Sequence, residues 1–232
     1  MKKSIILTLF CGLLMQAPAG SAAAPPVYTV PPPVEAAFDA AKGTAIGGKQ
    51  GERIRAYMLT QAQRFKSIAG ATVSTIRDGE IIKVSIPADK LFAPNDTTLI
   101  GLAPKTHKGH TPPDMAVATS TPAAPVDAWL RPVLTFMRKG YTRLIITSHT
   151  DDTGSATYLA RMAEARARAV DGWMKQNGVA ASMLSTFAFA DAKPLYDNDS
   201  MLHRAANRRI TFYLVPNEAM IKEAKKRRAF QD

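Results

Sequence analysis

The sequence predicts an α+β fold: two layers, with helices packed on one mixed sheet in the order β-α-β-α-β and a hairpin supplying a further strand. Three observations lead there. Val73–Ile76 and Ile81–Ile86 flank Asp78-Gly79, a tight-turn signal between two strand-like runs. Residues 155–176 repeat apolar side chains at helical spacing. Leu144-Ile145-Ile146 and the alternating Ile210, Phe212 and Leu214 read as strands separated from one another by helical segments. A hairpin is antiparallel, whereas a strand–helix–strand crossover is parallel, so the sheet is mixed.

The N-terminus reads as a secretory signal over residues 1–23. Lys2 and Lys3 precede the apolar run Ile5–Met15, and Ala19-Gly20-Ser21-Ala22-Ala23 supplies small residues for cleavage. The run is too short for a spanning helix. Cys11 is the single cysteine, and bulky Phe10 before it fits poorly with lipidation. Cleavage after Ala22 or Ala23 leaves a cysteine-free chain without disulfide or thiol chemistry, which suits a bacterial periplasm. The net charge is +11; subtracting Lys2 and Lys3 leaves +9. A basic chain favours polyanions, but an exported one does not meet nucleic acid.

Residues 24–34 form a proline-rich linker expected to be extended. Residues 35–72 are a helical segment interrupted by Gly43, Gly47, Gly48 and Gly51, followed by the apolar stripe Ile54, Tyr57, Met58, Gln61, Phe65 and Ile68. After the hairpin, Pro87 ends the second strand. The polar, proline-punctuated stretch 94–125 is long for a compact domain and reads as an insertion. Asp127–Lys139 carries Trp129, Val133, Phe136 and Met137 on an amphipathic helix, with Pro132 expected in its first turn or at a kink. Asn177-Gly178 stops helix 155–176, and a strand follows Met183. Residues 202–206 form a short helix before the last strand, 209–215. A basic tail, 217–232, is expected to be a solvated terminal helix.

On a helical wheel of 155–176, Leu159, Met162, Ala163, Val170 and Trp173 fall in one stripe. Arg161, Glu164, Arg168, Asp171 and Lys175 lie opposite. Arg166 stands two turns from Leu159, about 20° off it, and so projects with the apolar set. A guanidinium there either snorkels outward or meets an anion. Asp151, at the end of the preceding strand, is the nearest candidate, with Thr153-Gly154-Ser155 supplying the turn and the helix cap. Two readings fit: an internal ion pair, or a carboxylate and a guanidinium that together receive a zwitterion.

Residues 143–215 resemble the C-terminal peptidoglycan-binding domain of outer-membrane protein A, the OmpA-like family. The family pattern G-H-T-D-x-x-G-S-x-x-Y-N-x-x-L-S-x-x-R-A-x-x-V is matched by Ser148-His149-Thr150-Asp151-Asp152-Thr153-Gly154-Ser155, Tyr158-Leu159, Met162-Ala163, Arg166-Ala167 and Val170. A closing pattern is matched by Pro194, Asn198 and Arg204-Ala205-Ala206-Asn207-Arg208-Arg209-Ile210. The likeness extends upstream through Ile54–Leu99, where Gly43–Gly51 resemble a reduced glycine zipper, and gives an OmpA-like domain over 73–216.

The resemblance implies a site for meso-diaminopimelate in peptidoglycan stem peptides. Asp151 would take the ammonium and Arg166 the carboxylate, with Thr150, Leu159, Met162 and Arg208 completing the pocket and Gly154, Arg204 and Asn207 as structural members of the motifs. Leu159 replaces the usual asparagine and Met162-Ala163 the usual leucine-serine, so one polar ligand contact is missing. Outer-membrane or envelope-complex proteins are the further partners implied. No catalytic arrangement is found and no cofactor is expected; His107, His110, His149 and Asp151 match no zinc spacing. The resemblance thus implies a non-catalytic wall anchor, in the periplasm and associated with the outer membrane. The thinner polar surround and the insertion also allow an assembly subunit of an envelope machine with weakened wall binding.

Overall fold

The structure is a computed structural model that describes residues 32–101, 126–226 and 230. The expectations on the signal sequence, on Cys11 and on 102–125 fall outside those residues. Five strands form one sheet in the order β1-β2-β5-β3-β4, with β1 Thr72–Ile76, β2 Ile81–Pro87, β3 Thr142–His149, β4 Leu184–Ala190 and β5 Arg209–Pro216. The neighbours β1/β2, β2/β5 and β5/β3 are antiparallel and β3/β4 is parallel. The mixed sheet therefore follows from one hairpin and one helical crossover. Six helices accompany it: α1 Pro32–Lys42, α2 Gly48–Phe65, α3 Asp127–Met137, α4 Ala156–Gln176, α5 Met201–Asn207 and α6 Glu218–Lys225. No described helix is long and apolar enough to cross a membrane.

Strand alternation sends Ile82, Val84, Ile86, Leu144, Ile146, Ile210, Phe212 and Leu214 to one face. There they meet Ile54 and Met58 of α2, Leu130 and Leu134 of α3, Val170 and Trp173 of α4, and Met220 of α6. The opposite face carries Ile81, Ile145 and Val215, covered by α1. Phe38 of α1 packs edge-on against Phe187, Phe189 and Tyr213, with ring centroids 5.1–5.5 Å away. Glu35 pairs with Lys193 at 2.5 Å and ties α1 down. The α+β class stands, and α1 adds a local cover on the second face.

Several expectations need correction. The helix α1 begins at Pro32, inside the stretch read as extended linker. Proline is tolerated in a first helical turn because the missing N–H would have no intrahelical partner there. Gly51 is no zipper contact: a Cβ on it would lie 1.9 Å from the carbonyl oxygen of Ile46. It admits the backbone of the loop entering its own helix. The hairpin turn spans Arg77–Glu80, with positive φ at Arg77, Asp78 and Gly79, and Arg77 donates to the carbonyls of Lys42 and Gly43. Pro132 sits in the second turn of α3. The tail is not simply solvated. In α6, Met220 and Ala224 lie four apart on one buried face, Arg53 of α2 donates to the Ala224 carbonyl, and Phe230 packs on Tyr57.

His149 lies on the second face, 4% exposed, stacked on Phe189 and hydrogen-bonded to Thr147. Burial pushes its pKa well below the ordinary value, and Arg209, Lys83 and Lys193 push the same way. The folded state thus keeps His149 neutral while the unfolded chain protonates it below about pH 6.5. The unfolded state then binds more protons, and stability falls as pH drops below that value. Between pH 7 and 5 we expect the urea midpoint to fall, with a slope from this group of at most about 1.4 kcal/mol per pH unit. His149→Gln should flatten that slope, as checked by urea titrations across the range.

Candidate functional site

At the end of the sheet where β2 and β3 finish and β5 begins, a cleft of about 310 Å³ opens. Its walls are the turn after β2 (Ala88, Phe92, Ala93, Asn95), the β3–α4 loop (Thr150, Asp151, Thr153), one face of α4 (Tyr158, Leu159, Met162, Arg166) and Arg208. The β3–α4 loop turns at Gly154, whose φ of +135° favours glycine and whose missing Cβ leaves room for Tyr158. Ser155 then caps α4 by accepting the Tyr158 N–H.

Asp151 is buried. One carboxylate oxygen accepts the Thr153 N–H at 3.0 Å; the other takes Arg208 Nη1 at 2.5 Å. The neighbouring Asp152 binds Arg204 Nε at 2.9 Å. Arg204 and Arg208, one turn apart on α5 and its end, therefore tie the second sequence motif to the first. Thr150 donates its N–H to the Ala190 carbonyl, while its buried hydroxyl has no hydrogen-bond partner.

Arg166 is 6% exposed, as its helical phase demands, and does not snorkel out. The direct Asp151–Arg166 ion pair is not formed. Instead Arg166 Nε donates to the backbone carbonyl of Asp96 at 2.9 Å, and its guanidinium lies over the Phe92 ring, 5.1 Å from the centroid. Among the described residues no carboxylate stands within ion-pair distance of it. The reason is geometric: Arg208, at the mouth of β5 beside β3, reaches Asp151 first. Burial lowers the pKa of Arg166; Tyr158 opposes that, Arg208 adds to it, and Asp96 and Asp151 oppose it. The cleft is thus a buried guanidinium with free Nη donors, near a carboxylate already engaged by a second guanidinium.

All six sequence-predicted ligand residues, Thr150, Asp151, Leu159, Met162, Arg166 and Arg208, line this cleft. His149 does not; it points through the other face of the sheet. Leu159 is buried against Ala163 and Ala190 and forms an apolar wall. Asn207 is fully buried and structural: its Oδ1 accepts from Leu195 and Tyr196 N–H, and its Nδ2 donates to the Tyr196 carbonyl and to Asn198. Phe92 and Asp96 are site members that the sequence alone does not single out: Phe92 lies in the short stretch between the second strand and the insertion, and Asp96 falls inside the insertion 94–125. The Asp96-Thr97-Thr98 run was the available signal. Its carboxylate caps the N–H groups of Thr97 and Thr98, which lowers its pKa, through Thr98 foremost, and fixes the turn that aims the Asp96 carbonyl. No group of three or more metal-ligating side chains is present among the described residues.

Residues 127–208 match the sequence model of the OmpA family. That stretch runs from α3 through the two motifs to Arg208. Outer membrane porin F of Pseudomonas fluorescens is 30% identical over 69 residues, which cover 30% of this chain and 21% of that protein. The chain thus matches about a fifth of that relative's length. A MotB-like protein from Desulfovibrio vulgaris superposes with a TM-score of 0.53 at 22% identity, over 72% of this chain and 99% of that one. The cell wall anchor of the T6SS from Pseudomonas aeruginosa does so with 0.52 at 17% identity, over 70% and 99%. Both share the fold.

Removing the Asn207 side chain orphans buried backbone groups of the 195–196 turn. Asn207→Ala is expected to lower stability by roughly 2 kcal/mol or more, read as a fall in urea midpoint with the m-value unchanged.

Proposed function

We propose that this chain is a non-catalytic envelope protein, exported to the periplasm, that binds peptidoglycan non-covalently through the diaminopimelate of stem peptides. It would thereby anchor the outer membrane, or an envelope complex, to the wall. One observation carries the reading: a buried Arg166 without a carboxylate partner, facing a cleft that also holds Asp151 and the unpartnered Thr150 hydroxyl. Burying an uncompensated cation is costly, and an incoming carboxylate would offset it by bidentate bonds to the free Nη atoms. The ligand's ammonium would go to Asp151 and share or replace the position of Arg208. Because Arg208 is partly exposed, it has room to move aside. The two OmpA-family motifs in one cleft support the assignment, as does the fold shared with a cell wall anchor. Nothing in this reading requires turnover.

The test is co-sedimentation of the protein with purified sacculi. Asp151→Ala and Arg166→Ala are each expected to leave the protein in the supernatant, a loss of at least tenfold in affinity, since each removes one half of a charge-assisted pair. Wild-type pelleting by both variants would sink the proposal. A second reading, an assembly subunit of an envelope machine with weakened wall binding, is favoured by the apolar Leu159 wall. It requires a stable envelope partner by crosslinking and no sacculus binding by the wild type.

Asp96 positions Arg166 without needing to touch the ligand. Asp96→Ala is therefore expected to weaken muropeptide binding several-fold with little change in thermal midpoint, whereas Asp96→Asn, which keeps the Oδ1 acceptor, should restore it. Calorimetric titration paired with melting curves separates the two effects.

A further inference from the structure

The sheet is open at β4, and a groove lies over that edge. The order β1-β2-β5-β3-β4 leaves β4 paired on one side only, with β3. Alternate N–H and C=O groups of such a strand point away from the sheet. Among the described residues, no backbone pairs with them along Leu184–Ala188. Edge strands are ordinarily blunted by a charged side chain, a proline or a bulge. The run Leu184-Ser185-Thr186-Phe187-Ala188 has no charge and no proline. Its register with β3 is regular until the shift at Ser148/His149.

The groove measures about 580 Å³ and is lined by three elements. Val34 and Ala37 come from α1, Ala160 and Ala167 from α4, and Thr186–Ala188 from the strand. Helix α1 covers the second face of the sheet, where Phe38 packs on Phe187. Helix α4 packs on the first face, where Leu159 and Ala163 meet Ala188. Helices on opposite faces can line one groove only at the margin of the sheet. The groove therefore straddles the β4 edge, with one helix as each wall. Side chains of the strand alternate between the walls, Phe187 toward α1 and Ala188 toward α4.

We propose that this groove takes an extended, uncharged segment of a partner polypeptide, about five residues long, which adds to β4 as a sixth strand. The occupant presents a peptide backbone, because that alone matches alternating donors and acceptors at strand spacing. Five residues at about 3.4 Å each match the regular run Leu184–Ala188. The walls select its side chains. They are alanines and a valine, and the one charged pair, Glu164 with Arg168 at 2.6 Å, satisfies itself. A charge on the entering strand would find no partner left there. The groove shares no lining residue with the Asp151–Arg166 cleft, so the proposal goes beyond the peptidoglycan reading and does not depend on it.

Titration of the isotope-labelled protein with the capped peptide acetyl-AVTVA-amide, read by backbone amide NMR shifts, tests this. The amides of Ser185, Thr186, Phe187 and Ala188 should shift together and saturably. N-methylating two consecutive peptide residues removes donors from both of its edges and should weaken binding about fivefold or more, the worth of one net hydrogen bond. The charged counterpart acetyl-ADTDA-amide should lose at least as much. Ala37→Trp fills the groove from an exposed position, and Thr186→Lys puts a charge on the exposed edge. Each should abolish the shifts with the melting midpoint unchanged, whereas Asp151→Ala should bind the peptide as the wild type does. Absence of saturable shifts at β4 overturns the proposal, and so does equal affinity for the N-methylated peptide. Loss of binding in Asp151→Ala would assign the peptide to the cleft and overturn it too. Broadening of the β4 amides with protein concentration alone, unmoved by peptide, overturns it in favour of a second copy of this chain. Failure of the wall reading looks different: the protein would stay in the supernatant with sacculi, whatever the β4 amides do.

Discussion

A guanidinium buried without a carboxylate within ion-pair distance is the constraint around which this end of the molecule is organised. Arg166 is carried inward by the phase of α4, and its charge must be met by something other than an ion pair. The Asp96 carbonyl and the Phe92 ring do so, one as a hydrogen-bond acceptor in the guanidinium plane and the other as a π-face beneath it. Both come from the turn after β2, so the fold's first hairpin, its long crossover helix and the start of the insertion all converge on one side chain. That arrangement leaves the Nη donors at a cleft, where the proposed reading places the ligand's carboxylate.

The carboxylate half of the site is built differently. Asp151 is not left empty; Arg208 occupies it, and the parallel contact of Arg204 with Asp152 keeps α5 beside the β3–α4 loop. Two motifs separated in sequence are thereby one structural unit, because β5 enters the sheet next to β3 and places the end of α5 above it. The cleft holds two cations and one engaged anion, and under the proposed reading a zwitterion entering it would exchange one partner of Asp151 for another. Leu159 and Met162 supply an apolar wall where a polar contact is missing. Under that reading, selectivity would rest the more on the charged groups.

The second face of the sheet shows how an apolar fold accommodates polar groups away from the site. Arg209 is buried there and donates to the carbonyls of Asn207 and Lys193, and burial lowers its pKa to about 10. Arg209, Lys83 and Lys193 all act on the His149 beside them to disfavour its protonation, and Lys193 lies over the Phe38 ring of α1. The helix is held by the aromatic cluster around Phe38, by the Glu35–Lys193 ion pair, and by donation from Arg143 to the Ala41 carbonyl and from Arg77 to the Lys42 carbonyl.

Local patterns in the sequence determined the helices and strands, the capping of α4 by Ser155, the turn at Gly154 and the inward projection of Arg166. Each of these depends on residues within a turn or two of one another, where backbone period and side-chain chemistry suffice. The six cleft-lining residues were also legible, because both motifs keep their order and spacing. Tertiary structure alone decided who pairs with whom. Arg166 meets a carbonyl 70 positions away, and Asp151 meets an arginine 57 positions on. The packing of α1 on the second face, the burial of α6 on α2 and the joining of Asp96 to the site were likewise invisible to local pattern. Such pairings follow from strand order and register, and those arise from burying all the apolar faces at once.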